Sequence, residues 1–521
     1  MMRQPILIAL VLFVVRPSFG QTAREVRLTD YMLIDVQRIE MISCFLDAYA
    51  DSLWPGWKGY RDAKFRFVYP NKLEMLVGYD AVPAGYLDVR DVRLPGKMIC
   101  VKTEGEISFP VHQPFTGGGI TINPGLHESV VLIQYPPKTL SYHWAVEWHR
   151  QKRMSADESF RLLHTSDGQI LTYIHELFHV FENTFADRAP SYSVGNPDDV
   201  YAAHTEVEGI ALERAFLEKN DVKARMFIED FLAARDAKHR HMSDSARLAE
   251  AHGEWREGLC TYVEFEILKY LRTNTACRPR HIDDQWYFGF RDAAYFLEFE
   301  LEILRRCRGT TMDLGTKRYV YGYYQALLLD RFMPGWKRDF LRQQRPLSDL
   351  LREAIRYDST IARERERRLQ SLYELPALRK KHAQFIAEGA KVVHEIEARK
   401  GKKYILDVSR IGHLDFVARG NSYSYDDRTR VYYPEGFERV EIHNLSLESA
   451  PVPFLVATKN LVEWIDDDRG VKMSLSTGGV DEQGLHRDAV VKTGGFTLKA
   501  ARLRISETER FIKLSVFPVR K

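Results

Sequence analysis

The chain has 521 residues, with 75 Lys plus Arg against 72 Asp plus Glu, five cysteines and 45% hydrophobic residues. At about 150 residues per domain, this length allows two to four domains and at least one large core. Ordinary apolar and charged fractions exclude a disordered chain, a collagen-like repeat and a disulfide mini-protein, and a formal charge of +3 excludes a dedicated nucleic-acid binder, which carries a strongly basic domain or stripe.

Residues 1–20 read as a secretory signal. Arg3 opens a short basic start, an apolar run follows from Ile6 to Val15, and Ser18-Phe19-Gly20 offers small residues for cleavage before Gln21. The run is too short for a bilayer span of roughly 20 helical residues, and no longer one follows, so no transmembrane anchor is expected. Cleavage removes Arg3 and Arg16 and leaves 73 basic against 72 acidic side chains, a balance of +1. The expected location is secreted or periplasmic, where disulfides persist. Five cysteines is an odd number and no Cys-x-x-Cys occurs, so cysteine-based metal or redox chemistry is disfavoured. Cys277 with Cys307 is the first pairing to expect, and at least one thiol stays free.

Residues 21–140 predict an N-terminal α/β subdomain. Ile39, Ile42, Phe45, Leu46 and Tyr49 give helical spacing over 35–53, which stops at Trp54-Pro55-Gly56-Trp57. Strands follow at 64–135, with Phe65, Phe67 and Tyr69 alternating and Val130-Val131-Leu132-Ile133 as an apolar run. Gly117-Gly118-Gly119 lacks the lysine and hydroxyl of a phosphate loop and reads as a loop or turn. Residues 141–350 are almost wholly helical in pattern. Residues 351–402 predict a charged, solvated connecting helix, as in Arg363-Glu364-Arg365-Glu366-Arg367-Arg368. From 403 to 521, short alternating runs such as Ile512, Leu514 and Val516 predict a β-rich domain. The fold class expected is therefore α+β.

The chemistry concentrates in His175-Glu176-Leu177-Phe178-His179. Leu171, Ile174, Leu177, Phe178 and Phe181 mark a buried helix, with Ser166 or Asp167 available to cap it. Histidines four apart project from one face, so both imidazoles can reach one metal ion. Imidazole suits Zn²⁺, and Glu176 is placed to take a proton from an activated water. Packing alone gives no reason for a carboxylate beside two histidines in so apolar a helix.

A zinc site needs a third ligand, and two segments compete. Glu208 lies 29 positions after His179 and Glu257 lies 78 after. Each is followed by glycine, with a small residue at the third step (Ala211 or Cys260), so either helix could approach the histidine helix closely. Glu206, Glu213 and Glu264 are expected to face solvent. His143, His149, His204 and His252 have no partner at ligand spacing and receive no role.

These residues resemble those of the gluzincin metallopeptidases, especially the aminopeptidase-N-like and glycyl-aminopeptidase-like branches and bacterial exported metallopeptidases. That family joins His-Glu-x-x-His to a Trp…Glu-Gly-x-x-x-Tyr helix, matched here by Trp255, Glu257, Gly258 and Tyr262. Its Tyr-x-Lys-Gly helix is similar to Tyr319-Val320-Tyr321-Gly322. The resemblance covers roughly residues 50–350 and implies a mainly helical zincin-like catalytic domain at 141–350. It implies zinc held by His175, His179 and Glu257, Glu176 as general base, and Tyr319 as the oxyanion donor. Buried packing within the tyrosines at 319, 321, 323 and 324 is the competing reading for Tyr319. The chain departs from the family in its long spacer to Glu257, in Tyr321 at the lysine position, and in lacking a Gly-x-Met-Glu-Asn strand for a free amine. The function implied is an exported zinc-dependent peptidase acting on a peptide or protein. The alternative is a catalytically inactive peptidase-like binding protein at the cell surface or in the periplasm.

Overall fold

A computed structural model of the chain describes, with short gaps, residues 28–102, the strands at 116–121 and 130–135, and residues 166–185, 198–308, 314–408 and 423–517. The signal-like segment, His143 and His149 lie outside the described residues. Helix α1 (Asp30–Leu53) buries Val36, Ile39, Ile42, Phe45 and Leu46 at the three-four spacing of one helical face. It ends where Pro55 disfavours helical backbone at Trp54 and Gly56 turns with φ +75°. Trp54 then becomes a plug. Its ring meets Phe178 at 5.1 Å and Trp336 at 5.4 Å between centroids, so the helix stop also wedges the floor under the histidine helix.

Six strands follow: β1 (Phe65–Tyr69), β2 (Leu73–Tyr79), β3 (Leu87–Asp88), β4 (Met98–Lys102), β5 (Thr116–Thr121) and β6 (Val130–Tyr135). Their order is β3-β4-β2-β1-β6-β5, antiparallel throughout except for β1 beside β6. The triple glycine expected as a loop lies inside β5, where the register to β6 shifts between Gly117 and Ile120. Glycines suit such an irregularity because a strand bulge needs backbone freedom more than side-chain packing.

The helical body contains α2 (Ser166–Glu182), α3 (Asp199–Leu217), α4 (Asp221–His239), α5 (Asp244–Leu271), α6 (Ala293–Arg308), α7 (Leu314–Phe332), α8 (Trp336–Gln343) and α9 (Leu347–Ile355). Asp198, Asn220 and Ser243 cap α3, α4 and α5 by accepting from the backbone N–H of Tyr201, Lys223 and Ala246. The closest crossing is α5 on α7. A Cβ on Gly258 would stand 2.4 Å from Gly322 Cα, and one on Gly322 would stand 1.8 Å from the Glu254 carbonyl oxygen. Two glycines therefore set this crossing, and no larger residue fits either position.

The segment expected as a solvated connector forms α10 (Ala362–Leu372) and α11 (Leu375–Glu397), and both dock on the body. Asp230 of α4, fully buried, accepts from Tyr373 (2.9 Å) and Arg368 (3.2 Å). Glu206 of α3 accepts from Lys381 and is 2.7 Å from buried His382. Glu206 is thus buried rather than solvent-facing, and Glu213 pairs with Arg305 and Arg308. Charged helices can read as solvated when their charges are matched by buried partners on another element.

The disulfide joins Cys44 to Cys277, not Cys277 to Cys307. After α5 the chain returns beside α1, where Tyr49 stacks on Tyr270 and accepts from Asn274; Cys307, buried on α6, is outside the disulfide, as are Cys100 and Cys260. Beyond the body, the described residues between Lys403 and Val516 form an eleven-stranded sheet. It is antiparallel except that Lys403–Asp407 pairs in parallel with Phe511–Val516. The fold is α+β. No helix among the described residues is long and apolar enough to cross a membrane.

Candidate metal centre

The histidine helix is locked at its base before it presents any chemistry. Arg38 of α1 donates to Ser166 Oγ at the start of α2 and to Asp35 Oδ1 (2.8 Å). Asp35 also accepts from Tyr69 (2.7 Å) and Tyr173 (2.9 Å), tying α1, β1 and α2 together. Burial raises the Asp35 carboxyl pKa; Arg38 and the two tyrosines oppose that rise. This buried network fixes where α2 sits.

One turn apart on α2, the His175 and His179 rings stand 4.9 Å between centroids. Helix α5 brings Glu257 to them. Its Oε2 lies 3.7 Å from His175 Nε2 and 3.4 Å from His179 Nε2. Each imidazole is backed by a second carboxylate on its other nitrogen: Glu264 at 2.5 Å from His175 Nδ1 and Glu182 at 2.7 Å from His179 Nδ1. Such backing orients the ring, and with the proton on Nδ1 it leaves Nε2 free to face Glu257. Ligands about 2.0–2.1 Å from a tetrahedral ion lie about 3.3 Å apart, close to the two distances from Glu257 Oε2 to the imidazoles.

The electrostatics point the same way. Burial pushes the His175 imidazole down, but hydrogen bonding to Glu257 and Glu264 outweighs it and takes the pKa up to about 10. His179 is raised against the same burial by Glu182 and Glu257. Glu257 is held well below the usual carboxylate range: burial opposes this, and its hydrogen bonds to the two imidazoles prevail. Glu176, buried on the same helix, is raised by desolvation and feels both histidines and Glu257. A pocket with four carboxylates around two imidazoles demands positive charge, which protons or a metal cation can supply.

Tyr319 comes from α7, across the Gly258–Gly322 crossing. Its ring stacks on His175 with centroids 6.0 Å apart. Burial and the neighbouring Glu257 raise its phenol above the ordinary range. The other tyrosines of that cluster turn elsewhere: Tyr321 donates to the Thr205 carbonyl (2.7 Å), and Tyr323 meets Tyr324 edge-on.

Glu208 lies in a different place. It is fully buried with Lys238 Nζ at 2.7 Å and Arg235 Nη2 at 3.0 Å. Glu250 and Glu254 complete a carboxylate trio there, with Glu254 held by both Arg235 nitrogens and by Gln325. Arginine cannot give up its proton, so this trio is matched already. Gly209 beside it makes room for Tyr321 and Arg308, whose atoms would stand 2.7 Å from an added Cβ. Gly258 likewise serves α7, not the histidine helix as its sequence position suggested.

Two site residues escaped the sequence reading. Glu264, expected in solvent, is seven positions after Glu257, and Glu182 is three after His179; both spacings keep a residue on its helix's ligand-bearing face. Cys260, set aside because no Cys-x-x-Cys exists, also borders the site, within ligand range of His175 and His179. Its Sγ is 3.1 Å from His179 Nδ1 and 3.6 Å from Nε2. The thiol therefore lies against the imidazole within reach of both nitrogens, and burial raises its pKa well above that of an ordinary thiol. Glu257 and Cys260 both stand where a third donor could lie.

No family model matches the chain, and neither a curated protein nor a solved structure matches it.

Proposed function

We propose that the chain is an exported zinc-dependent hydrolase, a peptidase of gluzincin type, with His175, His179 and Glu257 as the metal ligands. The observation that carries this reading is the convergence of Glu257 Oε2 on two Nε2 atoms at 3.4 and 3.7 Å, each imidazole being backed by its own carboxylate. Two imidazoles and a carboxylate with an open fourth position form a catalytic donor set for zinc. A zinc ion held there supplies Lewis acidity to a carbonyl oxygen and brings the pKa of a water to about 7.

The remaining steps belong to the side chains. Glu176 takes the proton of the attacking water and passes it to the leaving amine, and its raised pKa suits both halves of that transfer. Tyr319 donates its hydroxyl proton in a hydrogen bond to the developing oxyanion, a contact whose loss costs about 2.7–4 kcal/mol of barrier stabilisation. Glu264 and Glu182 hold the imidazoles in place. Strand β5 ends its sheet among the described residues and lies near α2, so an extended peptide could pair with its open edge.

The test is Glu176→Gln. The variant should keep one equivalent of zinc and lose about 10²–10⁴ in the rate of peptide hydrolysis. Hydrolysis at the wild-type rate would refute the mechanism. Wild-type protein that binds zinc but cleaves nothing in a mixed peptide library would favour a binding protein on this scaffold instead.

A further inference from the structure

Arg318 precedes Tyr319 on α7, and its environment is unlike that of the other arginine beside the pocket. Arg256 is engaged, donating to Asn183 Oδ1 at 3.2 Å. Among the described residues Arg318 has a single ionic neighbour, Glu257 Oε1, at 4.0 Å, which is too long for a hydrogen bond. Its guanidinium carbon lies 5.7 Å from the Tyr319 ring centre. Its stem runs over Gly253, where an added Cβ would stand 3.2 Å from Arg318 Cδ, so a glycine on α5 keeps the lane open for it. The side chain is 46% exposed. A permanent cation with five donors is thus held at the rim of a pocket of carboxylates, with most of those donors unspent.

Distance decides what it can reach. A donor to the oxyanion must stand 2.7–3.1 Å from it. Arg318 Nη2 stands 4.0 Å from Glu257 Oε1 whereas Oε2 faces the imidazoles, so the guanidinium lies past the carboxylate, and one residue of extended substrate, ~3.5 Å, spans a comparable distance. A carboxylate one residue past the scissile carbonyl falls within its range, and a guanidinium is the side chain best shaped to bind one through paired hydrogen bonds.

We infer that Arg318 reads a substrate carboxylate one residue from the scissile bond, and that this selects peptides with a free C-terminal carboxylate there, or an acidic side chain, over neutral ones. The inference rests on the peptidase reading of the site and adds its substrate class. Arg318 is a specificity residue, touching the substrate but not the reacting atoms.

The experiment uses the full chain carrying Glu176→Gln, supplied with zinc, in equilibrium dialysis against pooled N-acetyl dipeptides. One pool has free C-terminal carboxylates and a second has C-terminal amides; a further amidated pair of pools carries Asp and Glu or Asn and Gln at the last position. Retained peptides are quantified by mass spectrometry. Carboxylate-bearing peptides should be held about tenfold or more over their neutral counterparts. Arg318→Gln in the same background should erase that preference, Arg318→Lys should keep part of it, and zinc content should stay the same in both. The first pair of pools against the second tells a terminal carboxylate from a side-chain one. Carboxylates held no better than amides, including the case where neither binds, would overturn the assignment, as would a preference that survives Arg318→Gln. A preference that Arg318→Gln removes, in a protein whose wild type cleaves nothing, would sustain Arg318 and overturn the peptidase reading alone.

Discussion

Two stretches of this chain carry the same local signature, a glutamate followed by glycine and a small residue, and they meet opposite fates. Glu257 faces two imidazoles, bases that can shed a proton and offer a lone pair. Glu208 faces Arg235 and Lys238, cations it shares with Glu254 and Glu250. Both glutamates are buried or nearly so, and both are followed by a glycine that admits a side chain or backbone of another helix. The neighbours' protonation chemistry separates them. A carboxylate paired with obligate cations is a structural element, whereas one paired with imidazoles keeps the chemistry to bind a cation in place of their protons.

The contrast predicts different failures. Glu257→Gln should leave the fold intact and take zinc content from one equivalent to about a tenth or less, read by elemental mass spectrometry on dialysed protein. Glu208→Gln should retain zinc and lose about 1–3 kcal/mol of stability, read by urea unfolding, because it removes one buried charged partner from Arg235 and Lys238, which keep Glu254 and Glu250. A folded Glu208→Gln protein without zinc would break the comparison. A smaller effect sharpens it: Glu264→Gln preserves all three proposed ligands but should weaken zinc binding about 10–100-fold by freeing the His175 ring. Unchanged affinity would make Glu264 a packing partner.

What was legible in the sequence follows how local each feature is. His175 and His179 could be read because one helix turn and its apolar face place them without help from the rest of the chain. Helix α1, its Trp-Pro-Gly stop, the strand alternation and the β-rich C-terminal region are equally local. The choice between Glu208 and Glu257 was not, because a glycine shows that something comes close without naming what. Gly209 serves Tyr321 and Gly258 serves Gly322. Glu264 and the docked helices α10 and α11 were misread for a shared reason. Charge on a helix marks solvent only if no buried partner waits on another element, and Glu229 and Asp230 wait for Arg365 and Arg368. The Cys44–Cys277 pairing depends on the chain's return after α5, which no spacing encodes.

A third buried glutamate tests whether neighbours alone sort these fates. Glu300 on α6 is 7% exposed, and burial first and the Glu264 charge second push its pKa up to about 8, with His175 opposing. It has neither Glu208's arginine and lysine nor Glu257's pair of imidazoles, so its raised pKa favours the protonated form at neutral pH. The sign of the linkage follows. Below about pH 4.3 the carboxyl is protonated both folded and unfolded, and its own contribution to stability is at its most favourable. As pH rises toward 8 the unfolded chain ionises and the folded one does not, so stability falls by about 1.4 kcal/mol per pH unit, at most, and levels off above the folded pKa. Glu300→Gln removes this titration while keeping the shape. Urea unfolding at pH 5, 6, 7 and 8 should therefore show the wild type losing stability relative to the variant across that window, with the gap widest at pH 8. Other titrating groups, the histidines included, cancel to first order in the difference between the two proteins. Parallel curves would mean that Glu300 ionises in the fold as readily as in the unfolded chain. It would then join Glu208 among carboxylates matched by a cation, and burial without a partner would no longer account for its pKa.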